Sequence, residues 1–297
     1  MVEVRGTDGA VVHPRGAVGV VIQAPSDYWH SYRVRFPDGF EATFSRHDLA
    51  ILKQFQDGGT IAGANTASST LLAEYDLESH VIYRCIVGSR AYGLEDTDSD
   101  TDRRGIYLPP ADLHWSLYGV PEQLDLNATE EVYWEAQKFV VLALKANPNV
   151  LECLFTPLVE TATPMAEELL KIRQGFLSKM VYQTYNGYVL SQFKKLQADI
   201  RNKGDVKWKH VMHLLRLLLG GITILEEATL SVHAGAHRDQ LLAIKRGEVP
   251  FEQCEKWRRE LHVRFDKALK NTTMPERPDY DAANTWLLKA RLSMVRQ

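Results

Sequence analysis

The chain has 297 residues, with 35 Lys and Arg against 38 Asp and Glu, a formal net charge of −3 at pH 7. That near balance excludes a uniformly basic nucleic-acid glove, although a local basic face remains allowed, and the length is enough for two or three separate cores. No window reaches the ~18 apolar residues of a membrane span and MVEVRGTDGA is not a signal-type segment, so a cytoplasmic protein with no membrane partner is expected. Cys85, Cys153 and Cys254 are odd in number, far apart and in no CxxC or Cys/His spacing. A disulfide framework or a zinc site is therefore not expected, and the three should be buried thiols.

In chain order, residues 11–52 carry short β-type runs: AVGVVIQ at Ala17–Gln23, then YRVRF and FEATF separated by the turn tripeptide Pro37-Asp38-Gly39. A small β-barrel over residues 1–56 is the economical reading. DGGTIAGANTASST offers almost nothing to bury and reads as a linker over 57–72. A strand at His80–Val87 opens a mixed region, 73–162, with further strands expected at Arg104–Leu108 and Glu130–Trp134 and a helix at Ala136–Ala146. From about Met165 the apolar spacing is helical and stays so, which makes 163–297 an all-helical domain. The fold class is α+β.

The chemistry concentrates in VGSRAYGLEDTDSDTDRRGIYLP, where an apolar run ends in Gly88-Ser89 and ten residues later Asp100 and Asp102 precede another strand. In a strand, residues i and i+2 share a face, so both carboxylates are expected to point the same way and to repel unless a cation lies between them. Oxygen-only ligands with open positions suit Mg²⁺, which takes its remaining ligands from water and substrate phosphates. Gly88 lets backbone approach a ligand closely, and N–H groups at the start of a following helical turn can hold phosphate oxygens. An EF-hand reading of Asp96-x-Asp98-x-Asp100 fails, because Thr101 stands where glycine is needed and Tyr107 where the closing Glu belongs. A merely solvated acidic loop is the plain alternative, and the ordered strand, Gly-Ser, Asp-x-Asp, strand pattern is what speaks against it.

This pattern resembles the polymerase-beta-type nucleotidyltransferase superfamily. More narrowly, with YWEAQKFVVLALKANPNVLECLF, KHVMHLLRLL and LLAIKRGEV, the chain from about Tyr75 onward resembles the predicted nucleotidyltransferases associated with RNA ligases and named for an RNA-repair pathway. Thr101 and Arg103 flank the second aspartate where most of the superfamily has apolar residues. The resemblance implies a polymerase-beta-like palm in which Asp100, Asp102 and a third carboxylate hold Mg²⁺ or Mn²⁺ and an NTP, ATP foremost, gives its nucleoside monophosphate to an acceptor such as an RNA end. The third carboxylate falls on Glu130, with Glu152 and then Glu131 as alternatives. Ser89 is expected at the terminal phosphates with Arg90 as a counter-charge, making Gly88, Ser89 and Arg90 nucleotide-binding. Arg104 is open between a structural ion pair and a substrate contact. Two other classes stay open: AMP transfer to a protein or small molecule, as in antitoxin-like or aminoglycoside-modifying relatives, and a non-catalytic NTP-binding module.

On the helical side, Lys209, His213 and Arg216 recur at i, i+4 and i+7 and are expected to face the palm and bind nucleotide, the alternative being an ordinary polar face. Lys194, Lys195, Lys245 and Arg246 are weaker candidates of the same kind. Residues 1–56 resemble an SH3-like barrel, with Tyr28, Trp29 and Tyr32 beside Arg33, Arg35 and Arg46 as a possible acceptor-holding surface or a docking one. Oligomeric state is not legible.

Overall fold

The computed structural model describes residues 4–5, 11–14, 17–25, 31–49, 76–97, 99–117, 119–126, 129–203 and 206–295. The chain divides into two compact units, Met1–Tyr75 and Asp76–Gln297.

In the first unit β1 (Val4–Arg5) pairs antiparallel with β2 (Val11–His13), and β3 (Val20–Gln23), β4 (Tyr32–Arg35) and β5 (Glu41–Phe44) form an antiparallel three-stranded sheet. The β4–β5 hairpin turns as the Pro-Asp-Gly tripeptide predicts: Gly39 takes φ 87° and the Asp38 carboxylate accepts the Phe40 N–H at 3.0 Å. Its core is small, Val4, Val34, Phe36 and Phe44. Among the described residues these two sheets do not close into an SH3-like barrel, because β3 is exposed along its whole length rather than alternating inward. Arg33 and Arg35 both pair with Glu41 at 2.8 Å, so one carboxylate offsets part of the basic charge expected beside the aromatics. Tyr28, Trp29 and the expected linker lie outside the described residues.

The second unit is built on a five-stranded mixed sheet in the order β10–β6–β7–β9–β8. Its strands are β6 (Val81–Ile86), β7 (Arg103–Tyr107), β8 (Gln123–Leu126), β9 (Glu131–Glu135) and β10 (Val159–Ala162). All pairings are antiparallel except β7 with β9, which run parallel in the register Arg103↔Glu131 to Tyr107↔Glu135. Tyr83, Ile106 and Trp134 are register partners on one face, and the Tyr83 hydroxyl donates to the Cys153 carbonyl at 2.6 Å, anchoring helices to that face. Between strands lie α1 (Gly88–Tyr92), α2 (Ala111–Trp115), α3 (Ala136–Leu144) and α4 (Pro148–Phe155). The last two start where sequence dictates: Glu135 caps α3, and Asn147 caps α4 ahead of a proline at its first position.

The helical half comprises α5 (Pro164–Lys171), α6 (Met180–Lys203), α7 (Trp208–Glu227), α8 (Arg238–Lys245), α9 (Phe251–Asn271) and α10 (Tyr280–Ser293). Helix α7 is buried on nearly every side, by Val211, Met212, Leu214, Leu215, Leu217, Leu218, Ile222, Ile224 and Leu225, and packs against α6, α8 and α9. Gly221 is required there, since a Cβ would meet the Phe265 ring at 2.8 Å. Sheet and helices share one continuous hydrophobic core, so the side chains α7 presents are held by a rigid element. Cys85, Cys153 and Cys254 are free and buried, as the sequence reading expected. No described helix is long and apolar enough to cross a membrane.

Candidate functional site

Three segments meet at one end of the sheet: the exit of β6 and the entrances of β7 and β9. Gly88 follows β6 with φ 72°, and an added Cβ would lie 2.3 Å from Asp102 Oδ2. The Gly-Ser turn and the second aspartate are therefore interlocked, a physical reason for the spacing between them. The Val87 N–H donates to the Asp102 carbonyl at 3.0 Å, which carries the pairing one residue beyond the strand. The strand itself begins at Arg103, so Asp100 and Asp102 sit on the entering loop rather than alternating within β7; the shared-face expectation is corrected to two carboxylates lining one cleft. Gly88→Ala should force the methyl into the Asp102 carboxylate from a strained left-handed backbone. Any activity of this cleft is expected to fall ~10²-fold with Tm lowered by only a few degrees, in an activity assay read beside thermal melting; unaltered activity would dissolve the interlock.

Of the carboxylates expected as third ligand, Glu130 and Glu131 both line the cleft and Glu152 does not. Continuing the Arg103↔Glu131 register back one step puts Glu130 beside Asp102, and Glu130 is exposed in the cleft with φ 57°. Arg104 joins the two: its Nη2 lies 3.2 Å from Asp102 Oδ1 and its Nη1 donates to the Glu130 carbonyl at 2.8 Å. Arg104 thus acts as a structural tie that also lines the cleft. Glu131 is buried, accepts the Tyr133 hydroxyl and lies 3.5 Å from Arg84. Glu152 is buried in α4, accepts the Tyr92 hydroxyl at 2.5 Å and pairs with Arg216 at 2.8 Å. Among the described residues no three acidic, His or Cys side chains cluster tightly enough to cage a metal alone. Asp100, Asp102 and Glu130 nevertheless supply hard oxygen donors on one wall, which fits a Mg²⁺-type ion that draws its other ligands from substrate phosphate.

Arg90 does not line the cleft; its guanidinium donates to the Ser99 carbonyl at 2.9 Å, fastening the Gly-Ser helix to the loop just before Asp100. Ser89 does line it.

The facing wall comes from the helical half, and together they enclose a cleft of about 1030 Å³. Lys209 and His213 line it, as does His210. Burial, with Arg216 next, pushes the His213 imidazole down to about 3, so it is neutral at physiological pH. Arg216 is turned away into the interior, its guanidinium 3.6 Å from the Tyr92 ring centroid and against Glu152. The Nη2–Glu152 approach lies off the hydrogen-bond direction, and Nε has no partner among the described residues. The expected three-cation stripe therefore presents one cation, Lys209, to the cleft. Lys207 and Lys245 supply two more. The first was missed by the sequence reading and the second ranked low. The signal for Lys207 was its place three residues before His210, just ahead of the helix; Lys245 ends α8, where a C-terminal cation is ordinary.

The electrostatics follow the two walls. Residues 76–162 hold six Lys and Arg against 15 Asp and Glu, whereas residues 163–297 hold 23 against 15. The near-neutral total conceals an acidic sheet half facing a basic helical half.

The chain is similar to the uncharacterized protein YcgL of Bacillus subtilis, 29% identical over 149 residues that make up 47% of this chain and 54% of that protein. It thus spans about half the length of this curated relative. No solved structure matches the chain significantly. Residues 65–289, which take in the Gly-Ser turn, the aspartate loop and both walls of the cleft, match the RlaP family, and the chain accordingly belongs to the RNA repair pathway DNA polymerase beta family.

Proposed function

We propose that the chain transfers a nucleoside monophosphate from an NTP, ATP foremost, to an acceptor, with an RNA end the favoured one, and that it does so with Mg²⁺ or Mn²⁺. The observation that carries this reading is the single cleft in which Gly88, Ser89, Asp100, Asp102 and Glu130 face Lys207, Lys209, His210, His213 and Lys245. Membership of a polymerase-beta family supports nucleotidyl transfer as the reaction class.

Asp100, Asp102 and Glu130 would hold the metal, which when bound offsets negative charge on the reacting phosphates and on the attacking and leaving oxygens. Ser89 would bind a phosphate oxygen through its hydroxyl, helped by the N–H groups at the start of α1. Lys209, Lys207 and Lys245 would neutralise the polyphosphate from the other side. His213 offers one donor and one acceptor without charge, suited to a base or sugar rather than to a phosphate. Arg216 receives no nucleotide contact in this scheme, since its charge is already matched by Glu152.

The test incubates the purified full chain with each α-labelled NTP, Mg²⁺ or Mn²⁺, and RNA oligonucleotides with free 3′ ends. Label entering RNA is the expected result. Label entering protein instead would favour the AMP-transfer class. Failure to bind or transfer any of the four NTPs, in a sample with an intact melting transition, would overturn the reading.

A further inference from the structure

The loop that carries Asp100 and Asp102 is held from outside its own half of the unit. Three successive carbonyls at the end of α1 are taken up by one stretch of the helical half. Tyr92 accepts the Ala234 N–H at 2.9 Å, Gly93 accepts Arg238 Nε at 2.7 Å, and Leu94 accepts Lys245 Nζ at 3.0 Å. Lys245 Nζ also reaches Asp96 Oδ2 at 2.8 Å. Glycine suits position 93, where φ is 68° and a Cβ would lie 2.3 Å from His233 Nε2, so that any side chain would strain the backbone and displace that imidazole.

At its near end Leu94 is fully buried and donates its N–H to the Ser89 carbonyl at 2.9 Å. Asp96 and Ser99 close a local turn through the Ser99 hydroxyl, and Arg90 holds the Ser99 carbonyl. Carbonyls at a helix end are ordinarily left to water or to a local cap. Here they are met by two cationic side chains and a backbone N–H from about 140 to 150 residues further along. Lys245 itself is mostly buried and lines the cleft. An ammonium has three donors; two go to Leu94 and Asp96, leaving one for a phosphate oxygen.

We propose that the segment Ala234–Lys245 is a positioning clamp for the aspartate loop, and that Lys245 couples this loop to a polyphosphate in the cleft. The coupling rests on the nucleotidyl-transfer reading of that cleft; the clamp does not. Lys245 acts through Asp96 and the loop backbone, so it is a positioning residue even where its third donor meets the substrate.

The experiment is amide hydrogen exchange on the full chain, alone and with ATP or inorganic triphosphate, Ca²⁺ being used to avoid turnover. In Lys245→Met the amides of Gly93–Ser99 should exchange at least tenfold faster than in the unaltered chain, with α7 and α9 unchanged. Added ATP should slow exchange of this segment in the unaltered chain and leave it unaltered in Lys245→Met, even at ATP concentrations where the variant is saturated. Lys245→Arg should restore both properties, which loss of packing alone would not predict. Lys245→Gln removes the charge at less steric cost and decides the matter should the Met variant not fold. Equal exchange of Gly93–Ser99 in the unaltered chain and both neutral variants would overturn the clamp. A variant loop that still responds to ATP as the unaltered one does would overturn the coupling. Absence of ATP and triphosphate binding by the unaltered chain would instead overturn the nucleotidyl-transfer reading and the coupling with it, the faster exchange of the neutral variants still upholding the clamp.

Discussion

Asp102→Asn is expected to lower nucleotidyl transfer by about 10³-fold or more while leaving the melting temperature within a few degrees. The side chain keeps its shape, so the interlock with Gly88 survives. What is lost is one unit of negative charge at the position proposed to hold a divalent ion, and several kcal/mol of transition-state charge stabilisation corresponds to about three powers of ten in rate. On the stability side the only ion pair affected among the described residues is the one with Arg104 at 3.2 Å, partly exposed on both sides, a class worth about 1 kcal/mol or less. Arg104 would remain on the Glu130 and Arg103 carbonyls. Asp100→Asn should behave alike. Glu130→Gln should cause a comparable loss and Glu131→Gln a much smaller one, because Glu131 is already taken by Tyr133 and Arg84. The measurement is kcat/KM with labelled NTP beside a thermal melt. Full activity in Asp102→Asn would sink the assignment of the site.

The parts of this architecture that sequence made legible are those where periodicity and burial coincide. The apolar run read as a strand at 80–87 is β6 at 81–86, the runs at 104–108 and 130–134 are β7 and β9 shifted by one, and the helix read at 136–146 is α3. Edge strands β8 and β10 escaped because QLDL and VETA are half polar and pair on one side only, so their sequences lack a core-facing signature. Helix α4 starts on Asn147 and Pro148, a signal that its eight residues are too few to back with a clear helical period. In the site, the Gly-Ser to Asp-x-Asp pattern located the cleft. It could not say that Asp102 lies just outside the strand, since one residue of strand boundary is below what pattern resolves. Depth was the other blind spot. Spacing of i, i+4 and i+7 puts Lys209, His213 and Arg216 near one stripe, yet α7 plunges from the cleft into the core along that stripe, so Lys209 is exposed, His213 half-buried and Arg216 buried. The same chemical type thus passes from cleft-lining to buried within two turns.

Arg216 carries the second large expected effect, and it falls on stability rather than on nucleotide affinity. Arg216→Ala leaves the Glu152 carboxylate buried with no opposite charge, and removing one partner of a buried pair typically costs 3–5 kcal/mol. For a unit of this size each kcal/mol moves the midpoint by roughly 2–4 °C, so a fall of about 6–20 °C is expected. Glu152→Ala should fall at least as far, because it also strands the Tyr92 hydroxyl. Replacing both together, Glu152→Leu with Arg216→Met, removes both charges at similar volume and should recover most of the lost stability; in a double-mutant cycle built on these same two substitutions the coupling should be about 3 kcal/mol or more. Activity should separate from stability in that double variant. Tyr92 is the last residue of the Gly-Ser helix, and without Glu152 to accept its hydroxyl or Arg216 against its ring, the helix loses its anchor to the core. Transfer should therefore stay reduced, about 10- to 100-fold, in a protein that melts nearly normally. Such a split would identify the pair as holding the Gly-Ser turn in place. An Arg216→Met protein that melts normally but binds ATP poorly would return the residue to the cleft and to the nucleotide.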